Sequence, residues 1–138
     1  MAFETGYTFS PAARNKAGSS GTGLIQFMAA TARGLGTTTT ALAAMSAIEQ
    51  LDWVRMYFKP YAGRMHGLAD VYMAILYPRA IGKPDDYALF TAPGEAYAPN
   101  AGLDKNKDKA VTKREASAAV LAALDRGLLP GNAAGVRS

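Results

Sequence analysis

The chain has 138 residues, no cysteine, and 15 Lys and Arg against 11 Asp and Glu, a net charge of +4. This length suits one domain with its own hydrophobic core, and without Cys there is neither a disulfide scaffold nor a thiolate metal site. The positive balance favours polyanions such as nucleic acid or an anionic bacterial wall. The lack of any Lys/Arg-dense run with interleaved aromatics argues against nucleic acid, and no apolar run is long enough to span a membrane.

The first informative stretch is Phe3-Glu4-Thr5. A carboxylic acid beside apolar groups resists ionisation, because desolvation penalises the charged form. It can then hold a proton near neutral pH and give it to a leaving oxygen. Taken alone the signal is weak, since most such residues are solvated surface groups. Only Met1, Ala2 and Phe3 precede Glu4, so its turn must be held by tertiary packing, through Phe3. A chain cut from a longer protein and a natural short form both account for that start. There is no basic-then-apolar signal pattern.

Residues 6–23 are rich in Gly, Pro, Ser and Asn and read as a long ordered loop, either a cleft wall or a surface connection. Thr22 is placed to cap a helix over 23–33, with Leu24, Phe27, Met28 and Thr31 on one side and Gln26 off that stripe. Gly34-Leu35-Gly36 stops it, and 37–40 leads into a short helical turn over 41–45. Ser46 and Glu49 form a capping box for a helix over 47–59. Its expected buried face is Ile48, Leu51, Val54, Tyr57 and Phe58. Trp53 reads as core or cleft floor, and Glu49 and Asp52 as solvated. His66, the single histidine, has no Cys or second His to share zinc with. An apolar helix is predicted over 68–77, ended by Pro78, and a short helix over 85–90.

The second informative stretch runs from Asp104 to Glu115. Asp104, Asn106, Asp108, Val111, Thr112 and Glu115 match positions 1, 3, 5, 8, 9 and 12 of an EF-hand calcium loop, whose oxygens suit a hard cation. Lys109 stands where that loop carries its turn glycine, and four lysines reduce the local negative charge. With Pro93, Gly94, Pro99 and Gly102 upstream, no regular entering helix is expected. Thr112 and Glu115 also read as a capping box for a helix with Ala116, Val120, Leu121 and Leu124 on its apolar side, which accounts for two of the residues without metal. Structural Ca2+ held by Asp104, Asn106, Asp108, Thr112 and Glu115 is the candidate ligand. Residues 127–138 read as a flexible C-terminal tail.

Glu4-Thr5, then Gly23-Leu24-Ile25-Gln26, then Ala29-Ala30-Thr31-Ala32 resembles the lytic transglycosylase family. That family writes Glu-Ser, Gly-Leu-Met-Gln and Pro-Ala-Thr-Ala. The wider run from Ala2 through Leu76-Tyr77-Pro78 looks most like its bacteriophage branch, and the resemblance covers residues 1–126. Thr5, Ile25 and Ala29 depart from the pattern, and Tyr72-Met73-Ala74-Ile75 lacks the Asn and Gly of the family's Tyr-Asn-Ala-Gly motif.

The resemblance implies a mostly α, lysozyme-like fold of the α+β lysozyme superfamily, a single helical domain with a sugar cleft. It implies cleavage of the MurNAc-β-1,4-GlcNAc bond of peptidoglycan, with Glu4 as general acid and then base and no catalytic cofactor. Gln26, Tyr72 and Tyr97 would contact the sugar, with Tyr77 the rival of Tyr72. The acceptor is either the sugar's own C6 hydroxyl, giving a 1,6-anhydro product, or water, as in a hydrolytic lysozyme. Two-carboxylate glycosidases need a second acid, and after Glu4 the next carboxylate is Glu49, although folding could bring Asp70, Asp85 or Asp86 close. The expected partner is the peptidoglycan strand, with neither nucleic acid nor membrane. The chain would be a monomer or part of a larger phage protein, carried by the virion or released to the periplasm and wall. A non-catalytic wall-binding or virion structural module is the competing class.

Overall fold

The computed structural model describes residues 1–132 and is mostly helical. The helices are α1 (Ala29–Leu35), α2 (Thr39–Ala44), α3 (Ala47–Phe58), α4 (Leu68–Leu76), α5 (Tyr97–Asn100) and α6 (Lys113–Gly127). A small antiparallel sheet pairs β1 (Ala88–Thr91) with β2 (Ala110–Thr112). No helix among the described residues is long and apolar enough to cross a membrane. The chain divides into two compact units, Met1–Ala62 and Gly63–Ser138. Of the expected tail over 127–138, residues 133–138 lie outside the described residues.

In the first unit the predicted helix over 23–33 is replaced by a tight non-helical turn followed by α1. Thr22 pairs as an isolated antiparallel bridge with both Arg14 and Phe27. Its N–H and C=O are both bonded to Phe27, at 3.1 and 2.9 Å, and Gly23 N–H reaches Ala13 C=O at 2.8 Å. These backbone groups therefore have partners that no helix would give them. Gly23 and Gln26 both take left-handed backbone, at φ 81° and 55°, which ends any helical run there. Ser20 does the capping, its Oγ accepting the Ala29 N–H at 3.0 Å, while the Thr22 hydroxyl donates to Ser20 C=O. Leu24, Ile25 and Phe27 are buried as core, and Met28 is exposed.

The capping boxes behave as their sequences require. Ser46 and Glu49 exchange both bonds at the start of α3, and Thr38 caps α2. The inward face of α3 is rotated from the expected one. Ile48 is 80 % exposed and Leu51 41 %, whereas Gln50 is fully buried alongside Val54. Gln50 and Val54 share a face by their i, i+4 spacing. The rotation follows from the Gln50 amide, which satisfies three backbone groups of its unit. Trp53 is half-buried. Tyr57 meets Phe27 edge-on, with centroids 6.2 Å apart.

The second unit packs α6 against α4. Tyr72, Met73 and Ala74 of α4, Val111 of β2 and Ala116 of α6 are buried. The predicted helix over 85–90 is a turn and then strand β1. The C=O groups of Asp85 and Tyr87 accept the Arg114 and Lys113 N–H groups at 2.9 Å, so they serve the first turn of α6 rather than a helix of their own. Leu89 and Phe90 are buried on the strand. On α6 only the N-terminal part of the expected apolar side is covered: Ala116 is buried, and Leu121 and Leu124 are exposed. His66 is exposed.

Lys113 and Asp70 join the two long helices of this unit. The Lys113 ammonium lies 2.5 Å from Asp70 Oδ1, with both side chains buried. It also donates to the C=O groups of Ala80 and Lys83 at 3.1 and 2.7 Å. Asp70 further accepts the N–H groups of His66 and Gly82, each at 2.9 Å. A buried ion pair is tolerable when the remaining lone pairs and protons are satisfied in this way.

Candidate active site and acidic loop

Residues 1–7 form a tight turn that sets Glu4 in place. Thr5, buried beside it, is the organiser. Its hydroxyl donates to Met1 C=O at 3.0 Å and accepts the Phe9 N–H at 2.9 Å. Its C=O accepts the Thr8 hydroxyl at 2.8 Å. Tyr7 N–H closes the turn onto Ala2 C=O at 2.7 Å. The Thr5 hydroxyl thus does the positioning.

Glu4 faces a cavity of about 580 Å³ whose lining includes Phe3, Thr5, Arg14, Lys16 and Gln26. Burial pushes the Glu4 carboxyl above its ordinary value of 4.5, against a smaller opposing pull from the Met1 amino group. Glu4 is the single carboxylate among the lining residues, and Arg14 and Lys16 are the single cations.

Gln26 lines the same cavity, on the left-handed turn described above. Its Nε2 donates to the C=O groups of Ala13 and Gly23, both at 3.1 Å. The amide nitrogen is therefore committed to backbone, and Oε1 is the atom of this side chain with acceptor capacity to spare. It makes no hydrogen bond to Glu4. Gly21 lies close beside it: a Cβ there would come within 2.9 Å of Gln26 Oε1 and press on the amide.

Gln50 holds this turn from below. Its Oε1 accepts the Leu24 N–H at 2.7 Å, and its Nε2 donates to Pro11 C=O at 3.0 Å and Leu42 C=O at 2.9 Å. A Cβ on Gly23 would overlap the Gln50 amide. The Gly-Leu-Ile-Gln run therefore owes its glycine to Gln50, a residue the sequence reading passes over. The available signal was its i, i+4 and i, i+7 alignment with Val54 and Tyr57.

Tyr72 and Tyr97 belong to the second unit. Tyr72 is a core residue of α4, 7 % exposed. The Tyr97 phenol donates to Asp104 Oδ2 at 2.7 Å. Asp70 is committed to Lys113, and Asp85 and Asp86 are exposed.

The acidic loop is entered by one helical turn, α5, and a 3-10 turn over Ala101–Leu103, where no regular helix was expected. Lys109 takes left-handed backbone at φ 69°, so the sharp turn of a glycine is made with a side chain in place. Asp104 Oδ2 accepts the Lys109 N–H at 2.9 Å, while Oδ1 is buried without a hydrogen-bond partner. The Tyr97 phenol, helped by loop amides, holds Asp104 below the ordinary carboxylate range. Asn106 and Asp108 bond each other at 3.1 Å. Glu115 receives the N–H groups of Lys105 and Asn106 on one oxygen and Thr112 on the other. Among the described residues no three of His, Cys, Asp and Glu gather into a metal cluster.

Comparison with protein-family models, curated proteins and solved structures finds no match.

Proposed function

We propose that this chain is a peptidoglycan-cleaving glycosidase of the lysozyme-like class, acting as a lytic transglycosylase through Glu4. The observation that carries the reading is a carboxyl on the wall of a 580 Å³ cavity, its ionisation disfavoured by burial. A protonated Glu4 gives its proton to the glycosidic oxygen as the C1–O bond breaks. The carboxylate so formed then removes a proton from the acceptor as its oxygen bonds C1. With no second carboxylate among the lining residues, the two-carboxylate scheme has no partner for Glu4 there. That favours the sugar's own C6 hydroxyl as acceptor and a 1,6-anhydro product. Gln26 Oε1 is an acceptor for a sugar hydroxyl or amide. The family resemblance also gives Tyr72 and Tyr97 sugar contacts, whereas Tyr72 is a core residue and the Tyr97 phenol is bonded to Asp104.

The test is digestion of purified sacculi, with mass spectrometry of the released muropeptides and Glu4→Gln alongside. Anhydro-muropeptides from the wild type alone are the expected result. Reducing-end products dependent on Glu4 would make the protein a hydrolytic lysozyme. Binding without products would leave a wall-binding module.

The acidic loop is proposed to take one structural Ca2+. The buried, unpartnered Oδ1 of Asp104 is the observation in favour, and Asn106, Asp108, Thr112 and Glu115 supply further oxygens of the hard type calcium requires. Bound there, the ion would tie the start of α6 to the turn before it and take no part in the chemistry.

A further inference from the structure

The cavity that holds Glu4 is charged in one direction. Its charged lining residues are Glu4, Arg14 and Lys16, and burial favours the neutral form of Glu4. With that acid protonated, the cavity carries two cations and no anion. Among the described residues no ion pair joins Arg14 or Lys16 to an acidic side chain.

Their backbone is held in place. Arg14 sits in the bridge to Thr22. Asn15 N–H bonds Gly21 C=O at 3.1 Å, and the Asn15 side chain accepts the Ala17 N–H at 2.7 Å. Arg14, Lys16 and Glu4 line one cavity, so a substrate held there for Glu4 would also meet the two cations.

We propose that Arg14 and Lys16 form a carboxylate-recognition subsite, selecting glycan strands that carry acidic substituents over neutral ones. This rests on reading the cavity as a glycan site. A guanidinium and an ammonium lining one cavity suit a carboxylate through charge-assisted hydrogen bonds. On a wall polymer that carboxylate is either the lactyl group of a bare strand or the acid of an attached peptide.

The experiment measures binding by Glu4→Gln protein, so that strands are retained whether or not they are cut. Three ligands are compared: peptide-free strands with lactyl carboxylates, the same strands capped as methylamides, and peptide-bearing strands whose acids lie on the peptide. Capping should weaken binding roughly three- to tenfold, the scale of two exposed charge pairs. Adding Arg14→Gln and Lys16→Gln should erase that difference, while Arg14→Lys with Lys16→Arg should retain it. A preference for peptide-bearing strands over free ones would assign the site to the peptide acid, and the reverse to the lactyl group. Equal binding of all three ligands, or a preference that survives the double Gln substitution, overturns the proposal. Wild-type digestion of sacculi is run separately. Failure there with the carboxylate preference intact would sink the glycosidase reading and leave the subsite standing.

Discussion

Gln50 Oε1 accepts the Leu24 N–H at 2.7 Å across 26 residues of sequence, tying α3 to the turn that carries Gln26. The same amide donates to the C=O groups of Pro11 and Leu42, so one buried side chain satisfies three backbone groups. Replacing it with Met keeps volume but orphans them, and each buried unsatisfied group costs about 1–3 kcal/mol. Gln50→Met should therefore destabilise by roughly 3 kcal/mol or more in urea unfolding. A midpoint unchanged from wild type would mean that water takes over these bonds.

Gly23→Ala tests the same clamp from its other side. The added Cβ would overlap the Gln50 amide and force a side chain onto backbone at φ 81°. Left-handed backbone alone costs an L-residue about 1–2 kcal/mol, and displacement of Gln50 adds to it. Gly23→Ala in the Gln50→Ala background should cost less than in the wild type, because the overlap is gone. Strict additivity in that double-mutant cycle would refute the contact.

What was legible in the sequence follows from where its partners lie. The Ser46–Glu49 and Thr112–Glu115 boxes and α4 ended by Pro78 are decided within a few residues, and each is found as read. The 23–33 helix failed because the N–H groups of Gly23, Leu24 and Phe27 bond Ala13, Gln50 and Thr22, partners that no local pattern reveals. The 85–90 helix failed for a like reason, its carbonyls being claimed by α6. In the candidate site, Glu4 and Gln26 were named from motif and do share a cavity. Arg14 and Lys16 stand in a loop whose composition leaves cleft wall and surface connection open and singles out neither residue.

The Asp70–Lys113 pair predicts an acid-sensitive second unit. Burial alone would raise the Asp70 carboxyl, but the Lys113 ammonium and the amides of Gly82 and His66 outweigh it and hold the group at about 2. A depressed folded value means that the stabilisation is fully present above the unfolded value and is lost as pH falls toward the folded one. Between about pH 4 and pH 2 roughly 2 kcal/mol should disappear. Asp70→Asn should flatten that part of the stability profile. A wild-type profile already flat from pH 4 to pH 2 would refute the assignment.

Lys109 gives the calcium loop an independent handle. Its φ of 69° favours glycine, so Lys109→Gly should stabilise the protein by about 0.5–1 kcal/mol even in chelator. It also removes a positive charge from the loop, so calcium should bind more tightly to the variant. Thermal melts in millimolar calcium and in chelator read both effects. A melting temperature that calcium leaves unmoved in wild type and Lys109→Gly alike would reduce the loop to the cap of α6.

Glu4 yields a prediction in which activity and stability move apart. Its carboxyl is raised above 4.5 by burial, so the fold favours the protonated form and bears a cost when Glu4 ionises. Turnover should fall as pH rises through the raised value, since the proton donor is lost. Glu4→Gln should lower the rate by roughly 10²–10⁴, the range for a general acid. At neutral pH the same variant should melt no lower than wild type and slightly higher, because an uncharged amide replaces a carboxylate held against its preference. The sign follows from linkage: the advantage vanishes as pH drops below the ordinary carboxyl value, where both states are protonated. Melting curves of the two proteins at pH 4 and pH 8, set beside muropeptide release at the same pH values, provide the check. A Glu4→Gln protein that melts well below wild type at pH 8 would show Glu4 to be a structural anchor, and its loss of activity would then carry no mechanistic weight.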